Sequence, residues 1–201
     1  MRALGILAKA PIPGRVKMRL AEDVGPSAAA EVYWEVGRRV VAASAGSGYR
    51  TTVWFTPADE GAFVREWLEE AGRVEYRPQT VGTLGARLAA AFQRHFGDGA
   101  QRAVIIGTDC PGVDRRLVNE AFTALGGADV VLGPSVDGGY YLIGLREPQP
   151  GLFREIPWSS TAVAAQTRAR AGALGLAVHL LKPLRDVDTV QDARALGLLK
   201  P

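Results

Sequence analysis

Residues 2–8, RALGILA, are apolar without the alternation of a strand that faces water on one side, and the chain turns at once through AKAPIPG. Such a run, closed by proline and glycine, reads as a strand buried on both faces, which requires a sheet covered by helices on both sides. This stretch therefore restricts the chain to an α/β architecture. The next segments agree. GPSAAAEVYWEVGRRVVAASAGSG offers Ser27 as an N-cap and apolar residues at 29, 32, 36 and 40, the marks of a helix. Then come a strand over 50–55, a helix over 59–71, a strand over 74–77, a helix over 84–96 and a strand over 103–107. The alternation predicts a three-layer, Rossmann-like sandwich with a mostly parallel sheet, whose strands deliver loops to one edge. DVVLGPSVDGGYYLIGL (129–145) breaks the rhythm, because its two apolar runs are separated by a loop too short for a crossover helix. Residues 140–145 should then run antiparallel in a mixed sheet. A helix over 161–174, a strand over 176–181 and a helix over 190–198 complete the reading. With no internal repeat or linker, one domain over 1–201 is expected.

Composition excludes several classes. Hydrophobic residues make up 47% and charged residues 22%, the balance of an ordinary globular chain. The formal charge of +3 comes from scattered basic residues, not from a stripe of the kind nucleic acids favour, so no nucleic-acid partner is expected. The single cysteine, Cys110, allows no intramolecular disulfide, and no apolar run is long enough for a signal sequence or a membrane span. A cytoplasmic location is expected. His95 and His179 lack Cys or His partners at ligand spacing, which argues against a structural zinc site and makes each a packed or surface side chain.

The loop after the first strand, AKAPIPGRVKMRL (8–20), carries Lys9, Arg15, Lys17 and Arg19. A solvated loop could hold these charges for no chemical reason. Two acidic segments give them a partner. IIGTDCPGV puts Thr108 and Asp109 just past a buried strand, where a carboxylate can meet a hard cation such as Mg²⁺ that is also bound through substrate phosphates. LKPLRDVDTVQDAR places Asp186 and Asp188 two residues apart, on one face if extended. The competing reading makes Asp109 a turn cap and Asp188 or Thr189 a helix cap. Phosphate is the ligand that wants both a divalent metal and Arg or Lys donors. GRVKMRL lacks the Gly-Lys-Ser/Thr ending of a Walker A loop, and GSG at 46–48 follows a helix where a dinucleotide fingerprint would open one. In SVDGGYYLIG, Asp137-Gly138-Gly139 reads as a tight turn and, compatibly, as a place where a ligand approaches the backbone while Asp137 takes hydroxyls. Trp158 reads as core packing in preference to ligand stacking.

AKAPIPGRVKMRL, GTDCPGV, GPSVDGGYYLIGL, PWSSTAVAAQT and DVDTVQD, in this order, resemble the bacterial glycosyltransferase-A-like family DUF2064, over about residues 3–198. That family is similar in turn to the nucleotide-diphospho-sugar transferase superfamily, including molybdenum-cofactor guanylyltransferases and 2-phospho-lactate guanylyltransferase. The resemblance implies a GT-A sandwich and a Mg²⁺- or Mn²⁺-dependent transferase that takes a nucleotide (NTP or NDP-sugar) and a small-molecule acceptor. It puts Ala8, Lys9, Gly14, Arg15, Lys17, Arg19 and Thr108 around the nucleotide phosphates, and Leu84 and Gly85 near the base. Asp109 and Asp188 become the metal-binding acids, and Asp137, Gly138 and Gly139 the acceptor side, with Arg15, Lys17 and Asp137 as catalytic candidates. Met18 stands where the family has threonine, and Thr83 and Ala86 where it often has acids. Nucleotidyl transfer is preferred, glycosyl transfer is the alternative, and a non-catalytic nucleotide-binding module is the third reading. Oligomeric state is left open.

Overall fold

In the structure, a computed structural model that describes residues 1–199, the N-terminal apolar run is the central strand β1 (Arg2–Lys9). It pairs in parallel with β2 (Arg50–Thr56) on one side and β4 (Arg102–Ile106) on the other. With β3 (Glu75–Pro78), β5 (Val130–Pro134), β6 (Tyr140–Leu145) and β7 (Val178–Leu180), the order is β3-β2-β1-β4-β6-β5-β7. The 140–145 strand is antiparallel to both of its neighbours, as its short connection requires.

Among the described residues seven α-helices accompany the sheet: α1 (Met18–Val24), α2 (Pro26–Ser44), α3 (Gly61–Trp67), α4 (Leu84–Gly97), α5 (Arg115–Ala124), α6 (Val163–Ala173) and α7 (Val190–Ala195). Leu4 and Ile6 of β1 pack with Val32, Val36 and Val40 of α2 and with Trp67 and Phe122. On the other face Ile105, Leu132 and Ile143 meet Leu88 and Phe92 of α4, Ala171 of α6, and Phe153 from a 3₁₀ turn before α6. Each large apolar side chain, fully buried, contributes about 1.5–3 kcal/mol. Between Arg2 and Lys9 at its ends β1 is apolar, because both of its faces lie in a core.

Three local expectations change. Ser27 is not the cap of α2. The helix begins at Pro26, two residues earlier than a Ser27 cap would start it; the fixed φ of Pro26 suits a first helical position, and Gly25 stands at the cap. Residues 59–71 do not form one helix, because 3₁₀ turns at Ala58–Glu60 and Glu69–Ala71 flank the seven-residue α3. The helix α1 covers residues 18–24, the first three of which belong to the expected basic loop. Among the described residues no helix is long and apolar enough to cross a membrane.

Candidate active site at the carboxyl edge of the sheet

The parallel strands β1 and β4 end side by side, so the segments after them, 10–17 and 107–110, leave the same edge. A third segment joins them from far along the chain. Leu184 N–H donates to Pro134 O and Val136 N–H to Leu184 O, which extends the β5 pairing beyond β7. Val187 N–H then donates to Asp109 O at 3.0 Å, and the Cys110 thiol to Arg185 O at 3.4 Å. These bonds register 185–188 against 109–110, and Asp109 and Asp188 converge. Thr189, with Asp192, supplies the capping box of α7, and Asp114 caps α5, so neither Asp188 nor Asp109 is consumed as a helix cap.

Lys17 lies between the two acids. Its ammonium pairs with Asp109 Oδ1 and lies 2.9 Å from Asp188 Oδ1, with the side chain only 4% exposed. Its backbone is left-handed, with φ 47° and ψ 50°, a conformation that costs a non-glycine residue on the order of 1 kcal/mol and persists where the surroundings hold it. Burial would lower the pKa of this lysine, but the Asp109 and Asp188 charges outweigh it and the pKa is raised. Lys9, Arg15 and Arg19 are exposed around it and form no ion pair among the described residues. Gly14 has φ 75° in the turn where Arg15 N–H donates to Ile12 O.

Beneath these groups sits Tyr33 of α2, which in sequence looks like one more residue of an apolar helix face. Its hydroxyl, in a residue 4% exposed overall, accepts from Lys9 N–H at 3.1 Å and shares a 2.8 Å hydrogen bond with Thr108 Oγ1. The ring centroid lies 6.0 Å from the Lys17 ammonium, within reach of a cation–π attraction. Burial, with the Asp109 charge, raises the pKa of this phenol. Thr108 is itself 1% exposed, so its hydroxyl ties the Asp109 turn to α2 and the end of β1. Ala8, also buried, accepts through its carbonyl from Gln79 Nε2 at 3.1 Å.

Asp186, which the sequence paired with Asp188 on one face without making it a metal ligand, lies close by. Its Oδ1 is buried without a hydrogen-bond partner. Burial first, then the Asp109, Asp137 and Asp188 charges, push its carboxyl up to about 6, with Lys17 opposing. Asp137 is exposed, and its Oδ1 accepts from Gly139 N–H at 3.0 Å. Gly138 has φ 92°, and a β-carbon there would overlap the Thr161 main chain. Its N–H donates to Ser135 O and its carbonyl accepts from Ala164 N–H. The missing side chain therefore admits the segment leading into α6, where the sequence suggested an approaching ligand.

Leu84 and Gly85 open α4 at this same edge, with Thr83 as N-cap. Leu84 is exposed, whereas Gly85 is buried under Trp158 and the Phe153 carbonyl. Trp158 packs at the margin of the second core and edge-on to Tyr140, as expected, but it also lines a groove of about 490 Å³ with Thr83, Ala86, Phe153 and Ile156. A larger cavity, of about 720 Å³, is elsewhere: it opens where β2 and β3 begin, at the opposite edge from the acids. His95 is packed at 1% exposure and His179 is on the surface.

The donor set fits a hard divalent cation. Two carboxylate oxygens already share one positive centre, and all donors are oxygen. No group of three or more His, Cys, Asp or Glu side chains among the described residues could hold a metal, so two carboxylates would need oxygens from a ligand to complete a shell.

A family profile described as "Uncharacterized protein conserved in bacteria (DUF2064)" matches residues 40–160. A crystal structure from Desulfovibrio desulfuricans G20, of a protein assigned as a nucleotide-diphospho-sugar transferase, is 33% identical over 97% of this chain and 85% of that one, with a TM-score of 0.89. CMP:2-keto-3-deoxy-manno-octonic acid synthetase, solved with CTP, superposes with a TM-score of 0.55 at 14% identity, over 98% of both chains. Mycobacterium tuberculosis Rv0371c, solved with manganese, gives 0.54 at 16%, again over 98% of both. The two distant matches show that the fold is shared. No curated protein matches the chain.

Proposed function

The chain belongs to the DUF2064 family, and from that premise we propose that it is a divalent-metal-dependent transferase acting on a nucleotide, with nucleotidyl transfer preferred. The observation that carries the reading is the meeting of Lys17, Asp109 and Asp188 at the edge where Lys9, Arg15 and Arg19 face solvent. Paired carboxylates beside a basic loop suit a metal-bound polyphosphate, which engages both kinds of group at once. CTP and manganese in distant members of the fold support the same choice.

Asp109 and Asp188 would hold Mg²⁺ or Mn²⁺, which when bound neutralises phosphate charge and polarises the phosphoryl oxygens. Lys17, Arg15 and Arg19 bind and orient the polyphosphate and offset the charge that gathers on the leaving group. Lys9 and the Ala8 turn border it, and Leu84 with the start of α4 flanks the base. Asp137, one oxygen tied to Gly139, keeps the other for an acceptor hydroxyl or for water around an acceptor phosphate. In nucleotidyl transfer an acceptor phosphate oxygen attacks the α-phosphorus of an NTP and pyrophosphate leaves. The name carried by the 33%-identical protein favours the second reading, in which an acceptor hydroxyl attacks the sugar of an NDP-sugar and a nucleoside diphosphate leaves.

The test is a product screen with Mg²⁺ or Mn²⁺, NTPs, NDP-sugars and phosphorylated or sugar acceptors. Pyrophosphate release supports nucleotidyl transfer and nucleoside diphosphate release supports glycosyl transfer. Nucleotide binding without either product would leave a binding module, and absence of metal-dependent nucleotide binding overturns the proposal.

A further inference from the structure

We propose that Lys17 is the resident counter-cation of the Asp109–Asp188 pair, so that the site excludes free divalent metal and admits it as a metal–polyphosphate complex, whose phosphates receive the displaced ammonium. The proposal rests on the reading above for the identity of the incoming ligand, but its premise is geometric.

One ammonium joins both carboxylates, so the cation position between them is already filled by the chain. The lysine is held there from several sides. Its side chain is 4% exposed, Tyr33 lies beneath it, and its backbone accepts a left-handed conformation that a solvated loop residue would relax out of. A divalent ion arriving alone would meet the positive charge at short range, and displacing Lys17 would take its ammonium from two carboxylates at once with no phosphate to receive it. That loss is large for a group removed from water. A polyphosphate changes the balance, because its oxygens offer Lys17 a new partner, and Arg15 and Arg19 of the same segment are exposed to meet it as well. The exchange is then charge for charge. No covalent bond changes, and the proton stays on the lysine.

The arrangement also explains why Lys17 is separated from the other basic residues of its loop. Lys9, Arg15 and Arg19 project to solvent, as phosphate-collecting groups should, and Lys17 alone turns inward. Removing Lys17 without replacement leaves the Asp109 and Asp188 carboxylates together without their cation, a pair that should attract free metal.

The experiment is a titration of free Mn²⁺, followed by its electron paramagnetic resonance, into the wild-type protein, Lys17→Met, Lys17→Gln and Lys17→Arg, without nucleotide. Gains in Mn²⁺ affinity of roughly tenfold or more in Lys17→Met and Lys17→Gln, with Lys17→Arg close to wild type, are expected; each tenfold step corresponds to about 1.4 kcal/mol. Unchanged or weaker Mn²⁺ binding in both neutral variants overturns the proposal. A second measurement needs no variant. The chain has four lysines, Lys9, Lys17, Lys182 and Lys200, so ¹⁵N-detected ammonium resonances can be followed singly in the wild type. The Lys17 signal should hold its position on addition of Mg²⁺ alone and shift on addition of Mg²⁺ with inorganic tripolyphosphate; a shift with Mg²⁺ alone, or none with both, overturns the exchange. Wild-type protein that binds Mn²⁺–GTP or Mn²⁺–CTP while the neutral variants gain no free Mn²⁺ affinity defeats this inference alone. Variants that gain it, in a protein that binds no nucleotide, uphold the counter-cation role and defeat the nucleotide reading.

Discussion

Lys17 Nζ stands 2.9 Å from Oδ1 of Asp188, a residue 171 positions further along the chain, and the same ammonium pairs with Asp109. One cation thus joins the loops after the first strand, the fourth strand and the last strand. The consequences can be measured separately.

Asp109→Asn and Asp188→Asn each keep the side-chain volume and remove one charge from the pair. Both carboxylates are well exposed, at 46% and 38%, so unfolding midpoints should move little. Mg²⁺-dependent affinity for GTP, CTP or UDP-sugars, read by calorimetry, should fall by about tenfold or more, a loss of about 1.4 kcal/mol per decade. Undiminished metal-dependent binding in both variants would remove these acids from the site.

Tyr33→Phe should act on stability first. It deprives Thr108 Oγ1, which is buried, and Lys9 N–H, which is partly buried, of a shared partner, which costs about 1–3 kcal/mol. Urea unfolding of Tyr33→Phe and of Tyr33→Phe with Thr108→Val checks this. The double variant should recover part of the loss, since an apolar pair is cheaper than a lone buried hydroxyl, and should still bind nucleotide more weakly because the Asp109 turn has lost its tie.

Two loop glycines with positive φ near the site, Gly14 and Gly138, should respond unequally to alanine. At Gly14 no atom lies within 4 Å of where a β-carbon would sit, so only the left-handed backbone is penalised, by about 1–2 kcal/mol. At Gly138 the Thr161 main chain occupies that space, and strain of roughly 1–3 kcal/mol is joined by displacement of the segment entering α6. Thermal melts should rank Gly138→Ala well below Gly14→Ala; equal melting points would contradict the packing at Thr161.

His95 should make the fold acid-sensitive. It accepts from Trp54 Nε1 at 3.1 Å as a neutral ring, and burial, then the Arg50 and Arg77 charges, lower its pKa from 6.5 to about 4. A base whose folded pKa is depressed leaves the unfolded chain binding more protons, so its contribution to stability is complete above pH 6.5. It is lost as pH falls from there towards about 4, by about 3 kcal/mol at most. His95→Gln keeps an acceptor for Trp54 and removes the titration. Its stability should therefore vary less between about pH 7.5 and 4.5 than the wild type's, which chemical denaturation at each pH tests.

Periodicity and punctuation were enough to place most elements and the one antiparallel strand, because a strand buried on both faces and a helix with one apolar stripe each carry their environment in composition. The 140–145 strand falls on the stated residues, and the sandwich comes from the order of elements. Short-range competition limited the rest. The α1 helix hides within a basic segment because its seven residues are too few for a periodic signal, and Pro26 overrides Ser27 where two start signals stand side by side.

The acids and the basic loop were visible in the sequence as residue types at strand ends. Their meeting was not. Nothing in residues 8–20 states that Lys17 turns inward while Arg15 and Arg19 turn out, or that a tyrosine on the helix face will join Lys9 to Thr108. Those relations depend on the register of 185–188 against 109–110 and on the seating of α2 over β1, both set by non-local hydrogen bonds and packing. Sequence determines what each segment prefers, through interactions spanning a few residues. The distance between charges far apart along the chain is decided only when the whole sheet closes, because that is when burial and backbone pairing fix the segments relative to one another.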